Sequence, residues 1–235
     1  MRKEKRTLRW IACWLIAALF ASLTVVIPAA KPVCAADISI KGNYNFAYYP
    51  KNKSMNTYEI EVSNSEEDEI EGVRLIGNTD PSVASFTYDE WTHIIYVKLR
   101  KPGMTTMTVE IATSEFDNEG VRVDIKEKRS FTVNSIEYRC PVKKLKIGKK
   151  SYKSKFKSSN TYKAKKHRKI KKQKLSIKPI KGWEVKSILL EYGAGWGVNE
   201  KYLKNNKRFS SPKDGEITIE MYNAELGLTE YLYLR

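Results

Sequence analysis

Cysteine and histidine are scarce in this chain of 235 residues, and their scarcity excludes several kinds of protein. Cys13 and Cys34 fall in an N-terminal segment that we expect to be removed, which leaves Cys140 alone and allows no internal disulfide. His93 and His167, the two histidines, lie in no pattern typical of a catalytic triad or a metal site. We therefore expect no enzymatic activity, no metal and no cofactor.

Helical periodicity is also missing from the stretch 81–111. Its apolar residues alternate with polar ones, and a period of two predicts antiparallel strands with one buried face. Lys101-Pro102-Gly103 separates two of these strands, because proline cannot donate to a ladder and glycine tolerates a positive φ. The residues predicted to face the core are Ala84, Phe86, Tyr88, Ile95, Val97, Leu99, Met107, Val109 and Ile111.

Alternation of the same kind continues on both sides of this stretch. It predicts about seven or eight strands in residues 37–135, the first of them at Ile38–Ile40. A second β pattern occupies residues 136–235, where Leu175 and Ile177 alternate with lysine and serine. We therefore predict an all-β protein of two tandem β-sandwich domains that follow the N-terminal segment.

Two short motifs in the first half resemble a known family. Asp80-Pro81-Ser82-Val83-Ala84 leads into one strand, and Lys101-Pro102-Gly103 precedes the threonine-rich Thr105-Thr106-Met107-Thr108-Val109. Together they resemble the bacterial Ig-like domains of the group 2 type, over the first predicted domain. The acidic run Glu66–Glu69 and the sequence after Thr113 depart from that pattern. The resemblance implies an Ig-like sandwich that serves as a spacer or adhesive module on bacterial cell-surface proteins, and not an enzyme.

Residues 1–36 are predicted to be a secretory signal peptide. Basic residues come first, an apolar run covers Trp10–Ile27, and small residues precede Asp37. Cleavage after Ala35 or Ala36 would release a secreted protein without a membrane span. The alternative is an uncleaved N-terminal anchor, because the apolar run approaches the length that crosses a bilayer.

Charge divides the chain at the predicted domain boundary, near Asn134–Pro141. Residues 37–135 hold 11 Lys and Arg against 17 Asp and Glu, a net charge of −6. Residues 136–235 hold 26 Lys and Arg against 9 Asp and Glu, a net charge of +17. This division predicts that the second half meets anionic partners.

Basic residues are densest in a segment between two predicted strands, residues 143–174. Lysine and arginine with interleaved aromatic residues can bind a polyanion by neutralising its charges and releasing counterions. Nucleic acid is not the expected partner of a secreted protein, so anionic wall polymers and polysaccharides are the candidates. The alternative is a solvated hairpin whose lysines keep a sheet edge from pairing. The candidate binding residues are Lys163, Lys165, Lys166, Arg168, Lys169, Lys171 and Lys172.

Two loops are further candidates. Tyr192 precedes a glycine-rich loop that contains Trp196, and an exposed indole there could stack on a sugar ring. The alternative is a hairpin loop whose Trp196 folds back onto the core. The acidic run Ser65–Glu69 could hold a calcium ion, but it lacks the ligand spacing of a calcium-binding loop and is better interpreted as a solvated hairpin tip.

These patterns together indicate a secreted, non-catalytic protein of the bacterial cell surface. The first hypothesis is an adhesion or binding module for anionic wall polymers or polysaccharides. The second is a structural spacer, or a protein-binding subunit of a surface assembly. A third is head-to-tail pairing of the oppositely charged halves of two molecules.

Overall fold

The structure of this chain, a computed structural model, consists mainly of β-strands, as predicted. It describes residues 40–62, 69–116, 120–163, 169–193 and 197–235. The predicted signal peptide, Ile38 and residues Ser65–Asp68 of the acidic run lie outside the described residues. In the part of the chain that the structure describes, no helix is long and apolar enough to span a membrane.

The described residues form sixteen strands and two short 3-10 turns, Lys53–Met55 and Lys153–Phe156. The first seven strands are β1 (Asn43–Tyr48), β2 (Thr57–Glu61), β3 (Glu69–Asn78), β4 (Ala84–Asp89), β5 (Ile94–Leu99), β6 (Gly103–Phe116) and β7 (Arg122–Glu137). The other nine are β8 (Val142–Ile147), β9 (Lys150–Ser151), β10 (Thr161–Tyr162), β11 (Ile170–Pro179), β12 (Trp183–Tyr192), β13 (Asn199–Tyr202), β14 (Arg208–Ser211), β15 (Glu216–Asn223) and β16 (Leu228–Leu234).

The first seven strands build an N-terminal lobe, which we define as residues 40–137. One sheet has the order β1-β7-β6-β3, and the other has the order β2-β5-β4. Ile95 of β5 and Met107 of β6 enter the same buried cluster, so the two sheets pack face to face in a sandwich-like arrangement. Every pairing in this lobe is antiparallel except that of β1 with β7.

The stretch 81–111 lies at the centre of this lobe, and its inward positions match the prediction. Ile95, Val97 and Met107 are completely buried. The turn before β6 depends on Gly103, which has a φ of 144° and leaves no room for a Cβ beside the Val83 side chain. Glycine therefore both permits the reversal and allows the close approach.

The first strand of the described residues is β1, and the strand predicted at Ile38–Ile40 lies mostly outside them. β1 begins at Asn43. Ile40 precedes it, lies outside any strand and packs against the core. Register with the partner strand sets the bounds of β1, because β7 pairs with the chain from Asn43 opposite Thr132 to Tyr48 opposite Glu137. A short apolar alternation cannot reveal such a partner.

Strands β8 to β16 build a C-terminal lobe, which we define as residues 142–235. Its five-stranded sheet has the order β10-β16-β15-β12-β13, and its four-stranded sheet has the order β14-β11-β8-β9. Leu145 and Leu175 of the four-stranded sheet meet Ile219 and Leu232 of the five-stranded sheet in a second buried cluster. The strands with clear alternation were predicted, whereas β9, β10, β13 and β14 were not.

The two lobes meet around a small aromatic cluster. Residues 36–235 form one compact unit, and β7 ends only a few residues before β8 begins. Tyr49 and Tyr138 stack with ring centroids 4.4 Å apart, and Met55 packs beside them. We call this cluster the lobe junction. The division of the chain into two domains stays a prediction.

Candidate functional site

The outer side of the four-stranded sheet is lined with basic residues. On β8 and β11, lysines alternate with apolar residues, of which Leu145 and Leu175 are completely buried. Successive side chains of a strand point to opposite faces, so the alternating lysines lie on the outer face. We call this surface the basic face, and its charged residues are Lys144, Lys146, Lys174, Lys178 and Arg208.

Like charges stand opposite each other on the basic face. Lys144 is the cross-strand partner of Lys178, and Lys174 is the partner of Arg208. All four residues are exposed. Directly opposed side chains of an antiparallel pair begin about 5 Å apart at their Cβ atoms, and like charges there destabilise the sheet. A bound polyanion would offset that cost.

The sheet that carries the basic face has no acidic residue of its own, because strands β8, β9, β11 and β14 contain no Asp or Glu. Among the described residues, no ion pair involves the basic face, whereas Arg74 and Glu110 pair at 2.9 Å on the N-terminal lobe. Within the described ranges, the charges of the basic face are therefore unpaired, which suits a polyanion bound by counterion release.

A β-bulge lies at one end of β11. The pairing of β11 with β14 shifts register between Ile170 and Gln173, and Lys172 has a φ of 44°, in the left-handed region. The Lys172 N–H donates to Ser210 Oγ at 3.0 Å and holds this backbone in place. Bulges re-aim side chains, and both Lys171 and Lys172 are exposed here.

The structure describes four of the seven basic residues that the sequence singled out. All four are exposed: Lys163, Lys169, Lys171 and Lys172. Lys165, Lys166 and Arg168 lie outside the described residues. Sequence reasoning followed the density of charge and missed the basic face, which three separate parts of the chain assemble. Lysines alternating with buried residues in 144–147 and 174–178 were the signal that could have found it.

The aromatic residues of the basic segment are partly structural. Phe156 is completely buried in the core of the C-terminal lobe, so it cannot stack on a ligand. Tyr152 and Tyr162 are half-buried against that core, and Lys150 and Lys155 lie over their rings. Lys150 Nζ lies 5.0 Å from the centroid of Tyr152, within the range of a cation–π contact. The segment therefore offers charge more than stacking surface.

The glycine-rich loop is described only at its ends. Tyr192 is half-buried against the core, and Trp196 lies outside the described residues. The Gly193 N–H donates to Asp214 Oδ2 at 3.1 Å, and Asn199 Nδ2 donates to the Gly197 carbonyl at 3.1 Å. Tyr192 therefore contributes to the core, and stacking of a sugar on Trp196 stays a prediction.

Trp91 is an exposed aromatic residue that sequence reasoning missed. It lies at the tip of the β4–β5 hairpin and is 95% exposed. Asp89 Oδ1 accepts the N–H of Trp91 at 2.9 Å and that of Thr92 at 3.4 Å, which orders the tip. His93 follows with a φ of 54°, and its Nδ1 lies 2.8 Å from the Tyr88 hydroxyl. The hairpin thus presents an indole on an ordered support.

Within the described ranges, no group of His, Cys, Asp or Glu residues is placed to hold a metal ion. The calcium hypothesis concerns an acidic run that lies almost wholly outside those ranges. No protein-family model matches the chain, and no curated protein matches it significantly.

Proposed function

We propose that this chain is a secreted, non-catalytic binding protein of a bacterial envelope, and that its basic face holds an anionic wall polymer or polysaccharide. The observation that carries the proposal is the sheet surface on which Lys144 opposes Lys178 and Lys174 opposes Arg208, with no acid on its strands. Such a surface releases counterions when an extended polyanion lies across it.

Two further features support the same proposal. The basic lobe follows a signal-peptide pattern, so its partner lies outside the cell, where nucleic acid is not the expected polyanion. Lysine is a compact point charge that needs no fixed partner geometry, whereas arginine favours bidentate recognition. A face with four lysines and one arginine therefore suits a charged polymer without strict sequence or stereochemistry.

The strand order of the N-terminal lobe supports the Ig-like resemblance. An Ig constant-type sandwich places its second, fifth and fourth strands in one sheet and its third, sixth and seventh in the other. The N-terminal lobe has the orders β2-β5-β4 and β3-β6-β7, and differs in that β1 pairs with β7. We infer that this lobe is the spacer or adhesive module that the resemblance implies.

Salt-gradient elution from heparin and from purified anionic cell wall tests the polyanion proposal. A basic-face variant replaces four residues with glutamine: Lys144, Lys174, Lys178 and Arg208. We expect it to elute at much lower salt than the wild type, and the slope of log K against log salt to fall by up to about four.

A matched control separates the basic face from net charge. It replaces four exposed lysines of the N-terminal lobe with glutamine: Lys41, Lys51, Lys53 and Lys98. We expect this control to elute close to the wild type, although its net charge equals that of the basic-face variant. Equal early elution of both variants would show that net charge alone acts, and unchanged elution of the basic-face variant would refute the site.

A third variant tests the residues that the sequence singled out. It replaces Lys165, Lys166, Arg168, Lys169, Lys171 and Lys172 with glutamine. If the polymer extends from the basic face along the bulge, this variant and the basic-face variant both weaken retention. Loss in this variant alone would place the binding residues in the segment instead of on the sheet.

A second candidate function is a protein-binding subunit, and Trp91 favours it. The Trp91 indole is 95% exposed, so a large apolar surface remains in contact with water. Tryptophan is enriched among residues that anchor protein interfaces. Asp89 and Glu90 adjoin it, so a polyanion is not its expected contact. Pull-downs from surface extracts with wild type and Trp91→Ala test this function, and a bound protein should be retained at high salt and lost in the variant.

A further inference from the structure

A carboxyl group is buried where the two lobes meet. Glu230 lies on β16 between two residues that face outward, so it occupies a position that the alternation assigns to the core. It is only 4% exposed. Burying a carboxylate without a cation costs several kcal/mol, so charged residues are almost never buried unless they are paired.

The partners of Glu230 come from both lobes. The Tyr49 hydroxyl, from the N-terminal lobe, donates to Glu230 Oε1 at 2.5 Å. Asn160 Nδ2, just before β10, donates to the same oxygen at 3.0 Å. Tyr49 stacks on Tyr138, whose hydroxyl donates to the Phe156 carbonyl at 2.9 Å. Glu230 therefore lies at the centre of the contacts that join the lobes.

Among the described residues, no cation balances this carboxyl group. The titratable groups that act electrostatically with Glu230 are Tyr49, Tyr58, Tyr138 and Tyr233, which are all neutral at physiological pH. In the described part of the chain, no lysine or arginine forms an ion pair with it. Burial raises the pKa of Glu230 to about 7, and the hydrogen bonds from Tyr49, Asn160 and the Tyr231 backbone oppose that rise only in part.

We propose that Glu230 is a proton-controlled latch at the lobe junction. With a neutral carboxyl group, Tyr49 and Asn160 pack around it and the junction is closed to water. With an ionised carboxylate, water enters to solvate the charge, and the lobes separate locally around Tyr49 and Tyr138. The lobe junction thus opens less often at mildly acidic pH than at alkaline pH. This does not depend on what the basic face binds.

The physical reason is the imbalance between solvation and hydrogen bonding. Water solvates an ionised carboxylate on all sides, whereas the junction offers Tyr49, Asn160 and one backbone N–H. The contacts that would loosen include the Tyr138 N–H to the Tyr48 carbonyl at 2.8 Å and the Tyr233 N–H to the Asn160 carbonyl at 2.8 Å. Both hydrogen bonds join segments that meet at Glu230.

Hydrogen exchange of backbone amides tests the latch on the whole protein. Protection of the Tyr138 and Tyr233 amides, corrected for intrinsic exchange, is compared at about pH 5.5 and about pH 8.5, on either side of the pKa of Glu230. We expect protection at the junction to fall by about tenfold or more at the higher pH. Amides of β6 and β15, in the two cores, should keep their protection.

Glu230→Gln keeps the shape of the neutral acid and cannot ionise. We expect it to abolish the pH response of the junction amides, and the exposed control Glu200→Gln to leave it unchanged. Tyr49→Phe keeps the carboxyl group but removes one hydrogen bond that lowers its pKa, so its response should move to higher pH. The latch is refuted if the wild type shows no response, or if Glu230→Gln responds like the wild type.

Discussion

The two lobes share a structural plan and differ in the charge of their outward-facing residues. Each lobe pairs an early strand in parallel with its last strand, β1 with β7 and β10 with β16. Each also places apolar residues of two sheets in one buried cluster. Residues 37–135 carry a net charge of −6, and residues 136–235 carry +17. Inward residues therefore define the fold, and outward residues are free to define the partner.

Pairing of charges distinguishes the lobes more sharply than net charge does. On the N-terminal lobe, Arg74 stands directly opposite Glu110 and forms an ion pair at 2.9 Å. On the basic face, Lys144 stands opposite Lys178. The same cross-strand geometry thus stabilises one sheet and strains the other. We propose that an anionic ligand supplies the opposite charge to this surface.

The largest expected effect concerns the two cores, and it tests whether the lobes are separable. Ile111 and Leu175 are completely buried, one in each lobe. Truncation of either to alanine should lower the free energy of unfolding by about 2–5 kcal/mol, through lost burial and a residual cavity. Because the lobe junction couples the lobes, we expect both variants to shift one common unfolding transition in urea.

The exposed control for the cores is Thr57→Ala, which should leave the transition in place. Two separate transitions, each moved by only one of the core variants, would show that the lobes unfold independently. The comparison between the lobes would then extend to their stability, and the junction would contribute little to it.

The next effect is the pH dependence that Glu230 gives the fold. Its pKa is about 7 in the folded protein against an ordinary value of 4.5, so the folded state holds the proton more tightly. This stabilisation is complete below about pH 4.5 and is lost as the pH rises to about 7, a change of ~3 kcal/mol. We expect Glu230→Gln to be more stable than the wild type at alkaline pH in urea denaturation, by up to that amount.

At mildly acidic pH, the stabilities of Glu230→Gln and the wild type should converge. Glu200→Gln, on the exposed strand β13, should follow the wild type at both pH values. A variant that is less stable than the wild type at alkaline pH would show that the carboxylate itself stabilises the junction.

The smallest effect concerns the like-charge pairs. Here we expect one substitution to increase the stability of the fold and to weaken binding. Lys178→Glu places an acid opposite Lys144 and converts a repulsive pair into an attractive one. We expect the free energy of unfolding to rise by about 0.2–1 kcal/mol, while elution from an anionic matrix moves to lower salt. Lys181→Glu, in the exposed turn after β11, is the control for charge alone. Tighter retention of Lys178→Glu than of wild type would contradict the proposal.

Sequence reasoning recovered the strands whose inward residues alternate over several positions. Val97 and Met107, and Leu175 in the other lobe, were assigned to a buried face correctly. β13 was not predicted because every residue of Asn199–Tyr202 is exposed, so no alternation of buried and exposed residues marks it. β10 was not predicted because it has only two residues, and its pairing with β16 is what makes it a strand. Short or fully exposed strands are set by their partners.

The candidate site shows the same limit. The density of lysines in 143–174 pointed to the lobe on which the basic face lies, since composition requires no knowledge of pairing. Opposition of Lys174 and Arg208 depends on the register of β11 with β14, which are far apart in the sequence. Glu230 gave no signal as a buried residue, because an acid in an alternating strand is ordinarily assigned to solvent.

The sequence alone determined that this protein is all-β and that its halves carry opposite charge, because alternation and composition are local properties of the chain. Only the tertiary structure decided which lysines share one sheet face and which carboxyl group lies between the lobes. Both depend on strand register and on packing between distant segments, and a shift of one residue would send each of these side chains to the opposite face.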